Sequence, residues 1–329
     1  MPFRLRQGIT LSITSIIPLF LFATSIEGDI AVGGSYNTNA GLLSSDELAE
    51  MGISKRANSA FGFDADVLLS LCLADQFSLD YNLFASVTPT DISTSFFTHS
   101  LAFTISHELD EVDLEYGIEA GHLLLGFENR TVDPQAFFNF FWYATDSLSY
   151  YLTATVSYVV GLSAAYDYFT APGLRFENGI YLYPVTGNGS FISFGAGERL
   201  FFFGEEYVAP FEPDDPPVWS HHGFSETYAR LKGKFVYEGF SIEASLRYGF
   251  FYYLADDRWM MRGTTYEKRR IDHAIRPKAA IEYRFTDLFS LLGYYQYLWN
   301  FSSIGTERSD YRDLSYDQHL AGIMARFVF

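Results

Sequence analysis

The chain has 329 residues, a formal charge of −18 from 40 acidic and 22 basic residues, and one cysteine, Cys72. That balance disfavours nucleic acid as a partner, and a lone cysteine excludes both an intramolecular disulfide and a cysteine-based metal site. Aromatic residues make up 19%, with 33 Phe and 24 Tyr, yet mean hydropathy is only +0.03, so the apolar residues are dispersed rather than blocked.

The N-terminus opens with "MPFRLRQG", carrying Arg4 and Arg6, then the apolar run "ITLSITSIIPLFLF", then the small residues "ATS" at 23–25. A basic start, an apolar middle and small residues at the end form the pattern of a secretory signal. Residues 1–25 are therefore expected to be removed, with cleavage after Ser25 or, as the second choice, Gly28. The mature chain then carries a charge near −20, because two arginines leave with the signal. No later stretch offers the roughly 18 apolar residues that a spanning helix needs. The other structure that satisfies every backbone polar group in a bilayer is a closed β-barrel. Its apolar residues occupy every second position, which keeps mean hydropathy near zero.

The clearest hairpin follows the first strand. In "FGFDADVLLSLCLADQFSLDYNLFASV", Phe61, Phe63, Ala65, Val67, Leu69, Leu71 and Leu73 share one face, with Asp64, Asp66 and Ser70 on the other. After "ADQ", Phe77, Leu79, Tyr81, Leu83, Ala85 and Val87 return apolar against Asp80 and Asn82. A spacing of two marks strands. Similar short polar turns are expected at Asp110–Glu111, Glu238–Gly239 and Thr286–Asp287. Longer connections are expected at about 39–58, 89–96, 127–135, 205–223, 255–271 and 304–314. Short and long connections alternate, as periplasmic turns and external loops do in outer-membrane barrels.

In "YYLTATVSYVVGLSAAYDYF" the apolar parity runs unbroken from Leu152 to Tyr168 through Gly161. This predicts one long strand that turns at Ala171–Gly173, rather than a turn at Gly161. The expected strands are 29–38, 59–73, 77–88, 97–109, 112–126, 136–145, 149–168, 174–184, 190–204, 224–236, 240–254, 272–285, 289–303 and 315–329. The fold class is all-β: a single transmembrane antiparallel β-barrel of about 14 strands, one domain over 26–329. Twelve strands remain the alternative, because alternation is poor around Gly195 and Gly197. Those glycines mark a bulge, a close approach from inside, or only a lumen-facing position.

The last stretch, "HLAGIMARFVF", keeps Ala321, Ile323, Ala325, Phe327 and Phe329 on one parity up to the final residue. With the signal and the alternation, this chain resembles the outer-membrane β-barrel class of diderm bacteria over residues 29–329. In that class a last strand ending in Phe is the recognition signal for the barrel assembly machinery, so the resemblance implies an assembly role for Phe327 and Phe329. It also implies outer-membrane localisation after export, and contact with outer-membrane and lipopolysaccharide-like lipid. The fourteen-stranded fatty-acid channels of this class carry an N-terminal hatch, and no such plug is expected here. By strand number the chain matches the monomeric fourteen-stranded general porins.

With the apolar parity assigned to lipid, the other parity lines the lumen. Residues 26–174 hold 20 acidic and three basic residues, whereas 175–329 hold 20 acidic and 17 basic. The early strands place Asp64, Asp66, Asp80, Asp113, Glu115 and Glu119 inward. The later strands place Arg230, Lys232, Lys234, Glu243, Arg247, Arg276, Lys278, Glu282, Arg284 and Arg326 inward. A wall acidic on one arc and basic on the other does one of two things. In a wet pore it makes a transverse field that favours polar solutes. In a filled barrel the charges reach across and pair. The reading is a channel for passive diffusion of small polar solutes or ions, the alternative being an adhesin or structural outer-membrane protein without a conducting pore. No histidine among His99, His107, His122 and His273 falls in a catalytic pattern, so no enzyme activity and no cofactor are expected. Asp214 and Asp215, in the proline-stiffened loop "EEYVAPFEPDDPPVWSHHG", match no cation-binding pattern.

Overall fold

The computed structural model describes residues 25–38, 59–89, 95–125, 128–162, 170–202, 223–261, 264–303 and 315–329; the side chains of 255–268 lie outside that description. Fourteen antiparallel strands follow the chain: β1 Ser25–Asn37, β2 Ala60–Ala74, β3 Phe77–Val87, β4 Phe96–Leu109, β5 Val112–Leu125, β6 Glu128–Thr145 and β7 Leu148–Gly161 in the first half. The second half holds β8 Ala171–Leu182, β9 Phe191–Phe201, β10 Phe224–Tyr237, β11 Phe240–Met261, β12 Thr264–Thr286, β13 Phe289–Ser302 and β14 Tyr316–Val328. Each strand pairs with its sequence neighbours, and β1 pairs with β14, so the sheet closes on itself.

Closure runs through nine residue pairs, from Asp29 opposite Val328 to Asn37 opposite Leu320. Gly28 and Phe329 extend it by exchanging two backbone hydrogen bonds, 2.8 and 2.9 Å. The Phe329 ring lies where a Cβ on Gly28 would stand, with ring atoms 2.2–2.7 Å from that position, so the glycine makes room for the terminal aromatic. In lipid each unpaired backbone group of an open edge costs several kcal/mol, roughly 2–7, and this seam leaves neither β1 nor β14 as an edge.

The outer face carries the apolar parity. Phe61 is 72% exposed, Ile118 65% and Ile323 61%, and the same face continues through Val156, Phe235 and Ile281. An apolar patch that size is untenable in water and is the normal covering of a barrel in lipid. Inside, at the end where the long connections lie, Phe251, Ala274 and Leu298 are buried with Phe224, Tyr253 and Tyr316 packed against them.

Several boundaries differ from the sequence reading. β1 begins at Ser25, four residues early, and Ser25–Gly28 pair with Cys72–Leu69; the cleavage positions fall within or at the edge of this pairing. The predicted strand 149–168 is corrected, since β7 ends at Gly161. The predicted turn at Ala171–Gly173 is also corrected. Those residues open β8, opposite Val159, Tyr158 and Ser157. The N–H of Gly161 donates to the Thr170 hydroxyl at 3.0 Å, which ties the two ends of the connection together; 163–169 lie outside the described residues. Unbroken parity misled here because it records which residues are apolar, and an apolar connection continues it as well as a strand does. The expected loop 127–135 is mostly strand, because β6 starts at Glu128. The expected loop 255–271 is largely taken up by the extended ends of β11 and β12. The turn after β12 is Asp287–Leu288, one residue later than expected, while those at Asp110–Glu111 and Glu238–Gly239 stand as read. The connections 39–58 and 304–314 lie outside the described residues, as do most of 89–96 and 205–223, with Asp214 and Asp215.

Candidate functional site: two arcs of the inner wall

Closure gives the second parity a concave side on which side chains from non-adjacent strands meet. Tyr294 on β13 donates to Asp64 on β2 at 2.7 Å, across β14 and β1. Arg230 on β10 reaches Glu177 on β8 at 2.5 Å, across β9. Both contacts place these residues, and the others on their strand faces, inside.

On β2, β3 and β5, five inward carboxylates are held by neutral donors. Asp80 accepts from the hydroxyls of Ser70 at 2.5 Å, Ser78 at 2.8 Å and Thr104 at 3.3 Å. Asp64 accepts from Ser86 at 2.8 Å as well as from Tyr294. Glu119 accepts from Gln135, Glu115 from Asn139 and Asp113 from Tyr143. Asp66 faces inward between Ala31 and Phe84 in the ladder. Neutral donors satisfy the oxygens without cancelling charge.

The opposite arc, β8 to β12, is built differently. Glu177 is almost wholly buried and accepts from Tyr151 at 2.9 Å and Tyr228 at 2.6 Å, while Arg230 and Arg175 pair with it at 2.5 and 3.3 Å. Glu226, with no exposed surface, lies 2.7 Å from Arg247 and 3.1 Å from Arg199. The Arg247 contact is a hydrogen bond. The Arg199 contact is an ion pair without hydrogen-bond geometry, which leaves that carboxylate oxygen without a donor. Lys232 pairs with Glu243 at 2.9 Å. The guanidinium of Arg247 lies 3.9 Å from the Tyr228 ring centroid, and that of Arg199 5.2 Å from Phe224, both in cation–π range. Near the seam, Arg326 bridges Asp29 on β1 and Glu282 on β12, at 2.9 and 3.1 Å.

Glycines let the tyrosines lie flat along this wall. A Cβ on Gly195 would stand 2.1 Å from the Tyr151 hydroxyl, and one on Gly197 2.6 Å from that of Tyr228. A Cβ on Gly322 would stand 2.5 Å from the hydroxyl of Tyr294. The close approach from inside, one of three options left open for Gly195 and Gly197, is the one observed.

Asp64, Asp66, Asp80, Asp113, Glu115, Arg230, Lys232, Lys234, Arg247 and Arg284 share the ladder parity of Tyr294 and Glu177. The structure joins Arg230 and Arg247 into the two glutamate-centred clusters and Lys232 to Glu243. Lys234 stands opposite Glu243 in the ladder, and Arg284 sits opposite Ser290 near the short-turn rim. Phe327 and Phe329 are on the outer face, with Phe327 packed 5.1 Å from Phe289. Among the described residues no group of three His, Cys, Asp or Glu is arranged to hold a metal ion. The sequence reading passed over Glu177, Glu226, Arg175 and Arg199, and the tyrosines that reach Glu177 and Asp64.

The closed sheet and its apolar exterior decide the architecture. The fold is that of an outer-membrane β-barrel. No family model matches the chain, and no curated protein matches it. Solved structures similar to it include OmpT, an outer membrane protein of Vibrio cholerae, at 10% identity and a TM-score of 0.47, covering 93% of this chain and 97% of that one. The outer membrane channel DcaP of Acinetobacter baumannii matches at 10% identity and 0.46, over 93% and 96%. The outer membrane protein OpdK of Pseudomonas aeruginosa matches at 10% and 0.44, over 94% and 100%.

Proposed function

We propose that this barrel is an outer-membrane channel through which small polar solutes or ions diffuse passively, after export and removal of residues 1–25. The observation that supports it most is where the ion pairs lie. Nine ion pairs join groups on β8 to β14 and β1. Asp64, Asp80, Asp113, Glu115 and Glu119 on β2, β3 and β5 take neutral donors. That separation supports an interior in which the two arcs do not pair with each other. The inward side chains of Arg175 and Glu243 remain 48% and 39% exposed, which supports a hydrated interior. Charged walls of opposite sign around water favour polar solutes over apolar ones. Asp64, Asp66, Asp80, Asp113 and Glu115 would line one side of the path. Arg230, Lys232, Lys234, Arg247 and Arg284 would line the other.

A second reading, an adhesin or structural barrel without a conducting pore, draws on the buried cluster of Phe251, Ala274 and Leu298, which narrows the end bearing the long connections. Purified protein in planar lipid bilayers separates the two. Stepwise conductance supports the channel, and silence from folded, inserted protein supports the second reading. Phe327 and Phe329 are proposed to present the closing strand to the assembly machinery.

A further inference from the structure

The strand register sets three arginines side by side. Arg230 on β10 faces Arg247 on β11, which faces Arg276 on β12. Toward the short turns the next inward row is Lys232, Ser245 and Lys278. Directly opposed strand residues stand about 4.5–5.5 Å apart at Cα, and like charges so placed are destabilising unless something compensates them.

Compensation is uneven. Glu177 takes Arg230 and Glu226 takes Arg247, but each glutamate is already shared with a second arginine. Glu243 takes Lys232. On the β12 side, among the described residues, no carboxylate lies within ion-pair distance of Arg276 or Lys278. The Nε of Arg276 is buried without a hydrogen-bond partner, and its guanidinium carbon lies 5.8 Å from the Phe251 ring centroid. Arg276 is only partly buried, and of its guanidinium nitrogens only Nε is buried and unsatisfied, which leaves the terminal fork toward the lumen. Lys278 follows two positions along the same face, about 6.6 Å away at strand rise.

We propose that Arg276 and Lys278, with Arg247 beside them, form a binding site for small oxyanions, carboxylate or phosphate, on the basic wall. This rests on the reading of the barrel as a solute path. A guanidinium fork matches the paired oxygens of either group, and an ammonium adds a point charge at variable angle. An oxyanion bound there supplies the negative charge that the protein leaves out of this row. The two arcs then act on different solutes, since an anion that binds at β12 is repelled by the carboxylates of β2 to β6.

The test uses the folded mature protein in detergent at constant ionic strength. Binding of inorganic phosphate and of succinate is measured by calorimetry for the wild type, the R276Q/K278Q double variant and Arg130→Gln. The wild type is expected to bind at least one of the two, with the tighter one naming the preferred group. The double variant should bind at least about tenfold more weakly, since hydrogen bonds to charged groups contribute about 1.5–3 kcal/mol each. Arg130→Gln, on β6, should bind as the wild type does. Equal affinity in the double variant, or no binding to the wild type, overturns the proposal. Should the double variant fail to show the folded form on unboiled gels, Lys278→Gln alone carries the comparison. Binding without bilayer conductance would keep the site and remove the channel; conductance without binding would do the reverse.

Discussion

The two arcs of this wall solve one problem in two ways. Buried charge must be hydrogen-bonded or paired. On β2 to β6, Asp64, Asp80, Asp113, Glu115 and Glu119 use serine, threonine, tyrosine and amide donors from adjoining strands or across the seam. Their charge survives and can act on whatever occupies the lumen. On β8 to β12, cations and carboxylates alternate, and much of the charge is cancelled within the wall around Glu177 and Glu226. The first arrangement spends little local structure and keeps a field. The second builds a rigid, locally neutralised lattice whose remaining positive charge is concentrated on β12. A residue's removal should therefore cost stability on the basic arc and selectivity on the acidic one.

Both arcs belong to one sheet that closes at β1 and β14. The largest effect should come from that seam. Deleting Phe329 removes both the backbone pair with Gly28 and the ring over it, and the folded fraction in cells should fall at equal synthesis, read from heat-modifiable mobility. Unchanged folded yield would remove the assembly role. Next is Glu226→Gln. Breaking a buried ion pair costs about 3–5 kcal/mol, but Arg199 and Arg247 keep 35% and 25% of their side-chain surface. Solvent screening lowers the expected loss to about 2–3 kcal/mol, measurable by urea unfolding in detergent or lipid. A loss under about 0.5 kcal/mol, the range of ordinary surface changes, would show that the basic arc is no lattice.

Tyr294→Phe should cost less, about 1.5 kcal/mol, the lower figure for a hydrogen bond to a charged group, because Ser86 still donates to Asp64. Smallest in stability is Asp80→Asn, expected within about 1 kcal/mol, since the amide oxygen keeps one serine donor and the amide NH2 donates to the other hydroxyl, which rotates to accept. That variant should nonetheless weaken cation preference in bilayers. If it instead unfolds the barrel, the acidic arc is as structural as the basic one and the contrast fails.

Much of this was legible from the sequence, for a physical reason. Spacing of two over long runs such as Phe61–Leu73 and Phe77–Val87 leaves little choice but strands with one apolar face, and the structure closes 14 of them. The inward assignment of Asp80 or Arg230 followed from the same parity. The sequence could not supply register. Glu226 and Arg247 are 21 residues apart and meet only because β10 and β11 pair with Arg230 opposite Arg247. Tyr294 and Asp64 are 230 residues apart and meet only through the closure. Gly195 and Gly197 were a trace of these contacts, since an inward glycine in a strand leaves room for a side chain from the next. Gly161 shows the converse limit, where parity ran past the end of a strand.

The central claim is that the two arcs face one conducting lumen. Reversal potential across a bilayer under a salt gradient tests it most directly, comparing the wild type with a variant neutralised at Asp64, Asp66 and Asp80 and another neutralised at Arg230, Lys232 and Lys234. The wild type should show a mild cation preference, strongest at low salt, because the Debye length of about 8 Å in physiological salt screens the wall charges. Loss of the carboxylates should move the reversal potential toward anions, and loss of the basic trio should move it toward cations. Unchanged reversal potential and conductance in both folded variants would mean that these residues do not line a conducting path.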